Sequence, residues 1–379
     1  MRHLHAAAAL LLSAVLAACS GGTAPSTDSA ARATAVAAAS AGFGEGRGPG
    51  RGQGQVTVMT RNLYLGTDLM RITAAASPSD VPPIAGTMWA IVQMTDFPAR
   101  ARLLADEIED LSPDLVALEE ASLYRTGPGA ACRGLPTPAT TVALDFLAVL
   151  QAELAARGLD YAVASSIDNF DGQLCAFDPA TGFLDVRLTD RDVILARDGL
   201  VTADPRSGHY AASSALPAAG GFIPVVRGWN TLDVQVHHSW LRFAMTHLEL
   251  EGAAAVQEAQ GRELVEIATS GPDRVILAGD FNAGPELSGV TSTYGDLLTA
   301  GFRDPWPRLH RRDPGPTCCY DELLLTGTLT DRRDLTLYRG GLVPLATVRF
   351  GTSDRTAAGL HPSDHAGVAT VFQVRGPGR

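Results

Sequence analysis

The sequence predicts a mixed α/β domain built in layers, on three observations. Short apolar runs of strand length alternate along the chain with longer stretches whose apolar residues recur at helical spacing. Two of the strand-like runs, 231–237 and 241–247, follow each other closely and read as a hairpin, which argues against an all-parallel sheet. The composition, 46% hydrophobic and 19% charged over 379 residues, is that of a globular chain with length enough for a large core.

Taken in chain order, "VTVMT" at 56–60 reads as the first strand. "ARARLLADEIEDL" sets Leu104, Ile108 and Leu111 on one face of a helix. "DLVALEE", after Pro113, is a short apolar strand that ends in acids. "TVALDFLAVLQAELAARG" is a second helix, stopped by Gly158. "DVILA", "TLDVQVHH" and "LRFAMTH" are strands, "AAAVQEAQGRELVEIA" a helix and "RVILAGD" the next strand. "DELLLTG" and "GVATVFQV" read as later strands. The Gly- and Pro-containing stretches 78–98 and 202–228 read as long loops.

The start of the chain reads as an address. Arg2 and two histidines precede an apolar run from Ala6 to Ala18, too short for a permanent membrane span, and this is the pattern of a secretory signal over residues 1–18. The run ends in "LAAC", which resembles a bacterial lipobox with Cys19 as the lipid-bearing residue. Residues 19–54, rich in Gly, Ala and Ser without apolar period, form a flexible tether, and 55–379 the folded domain. An extracytoplasmic domain held to a bacterial membrane by lipid is the expected arrangement.

All 30 basic residues are arginine. This excludes Schiff-base lysine chemistry and the phosphate-binding loop that requires Gly-Lys-Ser/Thr. The net charge is −11, and since residues 1–54 carry four arginines against two acids, the folded part is more acidic still. Such a surface does not draw in long nucleic-acid backbones, and divalent cations would partly neutralise it. No block of arginine with interleaved aromatics marks a nucleic-acid stripe.

Several apolar runs end abruptly in polar groups: Asn62 after "MTR", Glu119 and Glu120, His247, and Asp280 with Asn282. Asp321 stands ahead of the "ELLL" run, and Asp364 and His365 just before the last strand. Singly, each has an ordinary explanation as a cap or turn residue. Together they make the inventory of an oxygen-rich metal site with acid–base groups beside it. In "GDFN", residues 280 and 282 would face one way in extended backbone, with Phe281 turned into the core.

"MTRNLYLG", "PDLVALEE", "RFAMTHLE", "LAGDFN", "YDELLL" and "SDH", in this order from residue 59 to 365, resemble the motifs of the endonuclease/exonuclease/phosphatase family. These are metal-dependent phosphoesterases that include deoxyribonuclease I-like nucleases, bacterial sphingomyelinases and inositol polyphosphate phosphatases. The resemblance implies a four-layer α/β sandwich, two packed mixed sheets flanked by helices. It implies that Glu120, with Asn62 beside it and Asp364, binds Mg²⁺, for which Mn²⁺ or Ca²⁺ could substitute. Asp280 and Asn282 would hold the attacking water and the phosphate. His365 would be the general base or phosphate contact, oriented by Asp321, and His247 the second histidine, donating to the phosphoryl oxygens or leaving group. One departure is Glu119–Glu120, where the family has Gln-Glu.

A membrane-tethered monomer acting on a phosphoester is therefore expected, its substrate open between nucleic acid, phospholipid headgroup and small phosphate ester. The alternatives are a nuclease on DNA or RNA, a sphingomyelinase-like lipid phosphodiesterase, and an inert surface-binding protein with the same fold. The intact set of site residues argues against the last. In an exported protein the four remaining cysteines invite disulfides, with Cys132–Cys175 the preferred pair and the adjacent Cys318 and Cys319 unsuited to bridging each other.

Overall fold

The computed structural model describes residues 54–375. Residues 1–53, which include the stretch expected to be a signal, Cys19 and nearly all of the expected tether, lie outside the described residues. Among those described, no helix is long and apolar enough to cross a membrane.

The elements in chain order are β1 (Gln55–Asn62), α1 (Val81–Met94), α2 (Phe97–Leu111), β2 (Leu115–Glu119), β3 (Leu123–Gly127), β4 (Thr141–Asp145), α3 (Phe146–Ala156), β5 (Tyr161–Asp178) and β6 (Gly182–Arg197). They continue with β7 (Thr202–His209), β8 (Ser214–Ala218), β9 (Gly221–Val225), β10 (Gly228–Val236), β11 (Ser239–His247), α4 (Ala254–Ala268), β12 (Val275–Asp280) and α5 (Thr293–Thr299). The last are β13 (Cys318–Tyr320), β14 (Gly327–Asp331), β15 (Asp334–Arg339), β16 (Leu342–Phe350) and β17 (Gly367–Val374). An eight-stranded sheet runs β16-β17-β1-β2-β6-β3-β4, with β5 also on β6, and a five-stranded sheet runs β15-β12-β11-β10-β7.

Both sheets are mixed, and three cores stack through them. Val58, Leu115, Ala117 and Ile194 of the large sheet meet Leu232, Phe243, Met245 and Ile276 of the small one. The outer face of the large sheet, with Met59, Val116, Leu118 and Val193, is covered by Leu104, Ile108, Phe146 and Leu150 of α2 and α3. The outer face of the small sheet packs Leu277 and Leu337 against Leu264 of α4 and Leu297 of α5. Alternate residues of one strand thus serve two cores, as the pleat requires. The result is the four-layer sandwich.

Four segments differ from the sequence reading. Residues 78–98 contain α1, because Pro82 and Pro83 of "VPPIAGTMWAIVQM" occupy its first turn, where no intrahelical N–H is needed. The second helix starts at Phe146, since the Asp145 carboxylate accepts the Ala148 N–H at 3.2 Å and residues 141–145 pair with β3. Residues 202–228 hold β7 and the β8–β9 hairpin rather than a loop. "DELLLTG" is not a strand: the Leu324 N–H closes a turn on the Asp321 carbonyl at 2.9 Å, and Leu324 packs on Tyr64 and Leu360.

The predicted Cys132–Cys175 disulfide is present, with Cys175 within β5. The sulfurs of the adjacent Cys318 and Cys319 lie in contact with each other.

Candidate active site

Sheet register gathers the polar strand ends. β1 and β2 are parallel with Asn62 opposite Glu119, and β11 and β12 are parallel with His247 opposite Asp280. β15 runs antiparallel to β12, so that its first residue, Asp334, lies opposite Asp280. β17 runs antiparallel to β1, which brings the preceding Asp364 and His365 to the same edge. Parallel strands deliver their last residues and antiparallel partners their first, and the two packed sheets share this edge. Gly279 allows the close approach: with φ at 148°, a β carbon there would sit 1.9 Å from the Thr246 carbonyl oxygen.

Two buried arginines hold the surrounding loops. Arg61 pairs with Glu107, Nε to Oε2 at 2.9 Å, and donates to the His365 carbonyl. Arg100 donates to the carbonyls of Thr95, Leu63 and Pro362 at 2.7–2.8 Å, which ties the end of β1 to the segment before His365.

His365 is the centre of the arrangement. Its Nδ1 lies 2.8 Å from Asp334 Oδ2, so the carboxylate accepts that N–H, and Nε2 faces Asp280 Oδ2 at 3.8 Å and Cys319 Sγ at 3.6 Å. Burial opposes its charge, but Asp334, Asp364 and Asp280 together hold its pKa well above the ordinary histidine value. Asp321, expected to orient this histidine, does not: its carboxylate accepts the Leu325 and Thr326 N–H groups at 2.9 and 3.0 Å and caps a turn. Asp334 takes that place. It is not among the residues named from the sequence, although the polar/apolar alternation of "DLTLYR" is itself a strand pattern. The acid-at-strand-end pattern seen at Asp280 was the available signal.

His247 differs in character. Arg227 Nη1 stands 3.0 Å from its Nε2, and because a guanidinium only donates, Nε2 accepts and the proton sits on Nδ1, 3.9 Å from Asp192. Burial and Arg227 push its pKa down to about 3. Its Nε2 therefore does not point a proton outward, and Arg227 supplies the donor at that end of the site. Arg227, Asp190 and Asp192 are further site residues absent from the sequence reading; the acids of "TDRDVILA" precede an apolar run as the others do.

Asp280 lies midway between the histidines, with Oδ2 3.7 Å from His247 Nε2 and 3.2 Å from the Asn62 amide nitrogen. The Asn62 oxygen accepts the Tyr64 N–H at 2.8 Å, so Asn62 orients Asp280. Asn282 is brought beside Asp280 by a turn and not by the pleat: its φ is 46°, its N–H donates to Asp280 Oδ1 at 2.9 Å, and Phe281 does enter the core. The Asn282 side chain is engaged by the protein, donating to the Leu248 carbonyl at 3.0 Å and accepting from Arg333 at 3.1 Å.

The two glutamates separate cleanly. Glu119 is fully buried and accepts from the Thr60 hydroxyl at 3.0 Å; burial, with Asp192, Asp334 and Asp280 nearby, raises its pKa well above the carboxylate range. Glu120 turns the other way on a φ of 59°, accepts the Leu65 N–H at 2.6 Å and faces the cleft. Burial and the charges of Asp364 and Asp190 push its pKa up to about 8. Asp364 itself is raised by burial. Asp280, Asp334 and His365 also bring ligand-type atoms within 4.8 Å of one another. Such crowding of buried carboxylates is what a divalent cation relieves.

The chain belongs to the endonuclease/exonuclease/phosphatase family, whose model matches residues 92–365. No protein of curated function matches the sequence. Among solved structures it is similar to a humanized Danio rerio TDP2, at 16% identity over 84% of this chain and 98% of that one, with a TM-score of 0.52. An endonuclease/exonuclease/phosphatase protein of Beutenbergia cavernae matches at 20% identity over 86% and 72%, with a TM-score of 0.51. A mannosyl-6-phosphatase of Bacteroides thetaiotaomicron matches at 15% identity over 84% and 99%, with a TM-score of 0.50. These are likenesses of fold.

Proposed function

We propose that the protein is a divalent-metal-dependent phosphoester hydrolase in which the His365–Asp334 pair activates water. The observation that carries this reading is that pair, closed at 2.8 Å with its Nε2 turned toward Asp280, at an edge lined with buried carboxylates. Glu120 and Asp364, with Asn62 beside them, would hold the cation. The carboxylate oxygens suit Mg²⁺, or Mn²⁺ or Ca²⁺ in its place, better than a soft metal. When bound, such an ion polarises the phosphoryl group as a Lewis acid.

The chain's own groups divide the remaining work. His365, its tautomer set and its basicity raised by Asp334, takes the proton of the attacking water. Asp280, held by Asn62 and the Asn282 N–H, positions that water between the two histidines. Arg227, steadied against neutral His247, offers a cationic donor to the non-bridging oxygens as charge develops on them.

The test is hydrolysis of bis(para-nitrophenyl) phosphate by the purified protein with Mg²⁺. Turnover should stop in EDTA, return with Mg²⁺, and fall roughly 10²–10⁴-fold in His365→Ala. Asp280→Ala should lower kcat more than it raises KM, since its contact is made mainly in the transition state. Full activity in EDTA, or near-wild-type rates in both variants, overturns the mechanism, and no turnover of any phosphoester favours the inert binding protein.

The "LAAC" ending of the apolar run supports a lipid anchor at Cys19 and an extracytoplasmic, membrane-held location. Cys19→Ala should release the domain from membranes or leave the precursor uncut. Unchanged membrane association with no lipid mass on the N-terminus counts against it.

A further inference from the structure

Beside the site lies a cavity of about 420 Å³, a volume in the range that holds a small-molecule ligand. Its walls come from the segment after β1, from α1, from the outer face of β5 and β6, and from the β8–β9 hairpin. Leu69, Met88, Trp89, Phe170, Leu188 and Ile223 line it. The lining also includes Glu120, assigned above to the cation, Arg227, assigned to the phosphoryl oxygens, and Asp190.

The cavity is built rather than left over. Gly86 lets α1 lie directly on β5, since a β carbon there would sit 2.0 Å from the Phe177 carbonyl oxygen. The hairpin that roofs it is pinned by the Ala219 N–H, which donates to the Ala75 carbonyl at 2.8 Å. Protein interiors close voids of this size unless something fills them.

We propose that this cavity receives an apolar ester group of the substrate, so that the enzyme selects phosphoesters with one hydrocarbon-rich substituent. The proposal rests on the phosphoester reading above. A phosphoryl group at Glu120 and Arg227 directs one of its ester oxygens toward the cavity mouth, and a chain or ring on that oxygen exchanges water for Trp89, Phe170 and Leu188. The substituent is recognised mainly by burial, because away from Glu120, Asp190 and Arg227 the one charged lining residue, Asp171, is already paired with Arg187. The acidic surface of the domain is consistent with this, since it repels the long polyanions whose esters are polar.

The test measures binding of methyl, butyl, hexyl and octyl phosphate to the full-length protein in Mg²⁺ by calorimetry, beside kcat/KM for the matching para-nitrophenyl alkyl phosphates. Affinity should rise by up to about fourfold per methylene, the fold-change that corresponds to about 0.8 kcal/mol for each buried CH₂. Ile223→Asp, on the half-buried hairpin, and Ala85→Phe, which fills the cavity, should each flatten that rise while methyl phosphate binding is unchanged. Phospholipid vesicles form the last arm: their hydrolysis assigns the cavity to acyl chains, and a rise confined to the soluble esters assigns it to small apolar esters. Affinity independent of chain length in the wild type, or an equal rise in both variants, overturns the proposal. A chain-length rise in binding without turnover of any ester would leave the cavity standing and remove the catalytic reading instead.

Discussion

Asp334→Asn is expected to lower kcat by roughly 10²–10⁴-fold, the range for loss of an assisted general base, while Asp321→Ala leaves it within about twofold. The asparagine is nearly isosteric, so the site should keep its shape. What changes is His365. Its Nδ1 proton loses a carboxylate acceptor, the tautomer is no longer held, and one of the three charges that raise its pKa is gone. The sign follows directly. A histidine stripped of a raising carboxylate has a lower pKa, so the acidic limb of kcat/KM should move to lower pH in Asp334→Asn even as the plateau falls. Asp321 only caps an exposed turn, and its removal should cost stability rather than rate. A large rate loss in Asp321→Ala with none in Asp334→Asn would reassign the base pair.

Glu120→Gln is expected to weaken Mg²⁺ affinity by more than about 10²-fold, since even outer-shell partners of a metal ligand cost 10–100-fold. Thermal unfolding gives a readout that does not depend on turnover. A cation that binds only the folded state adds about 2.7 kcal/mol at a concentration 100 times its Kd. That Mg²⁺-dependent rise should be present in the wild type, reversed by EDTA and absent in Glu120→Gln.

Glu119→Gln should keep both the Mg²⁺ response and near-wild-type turnover, because Glu119 is fully buried and taken up by the Thr60 hydroxyl. Its raised pKa makes a further claim. Between the ordinary carboxylate pKa and the raised one, the folded state keeps a proton that the unfolded chain has lost, so wild-type stability falls as pH rises through that window. Glu119→Gln should remove that component of the slope. An unchanged pH dependence, or loss of the Mg²⁺ response in Glu119→Gln, would show that the two glutamates have been assigned in the wrong order.

The sequence by itself determined the layered α/β class, the family and most of the site, for a physical reason. The candidate site lies where buried strands stop or start, so Asn62, Glu120, His247 and Asp280 stand out as polar residues closing apolar runs and His365 as one just ahead of the last strand. Cys132 and Cys175 were likewise readable as a pair. What only the tertiary structure decided was which groups meet across the edge. Asp321 and Asp334 are both acids near a strand, 13 residues apart, and the antiparallel register of β15 on β12 chooses Asp334. Arg227 lies on no motif; it reaches His247 because β10 and β11 pair there. The apolar cavity beside Glu120 is equally invisible in one dimension, since its walls come from distant segments that share no local pattern and meet only when the sheets, α1 and the hairpin have packed.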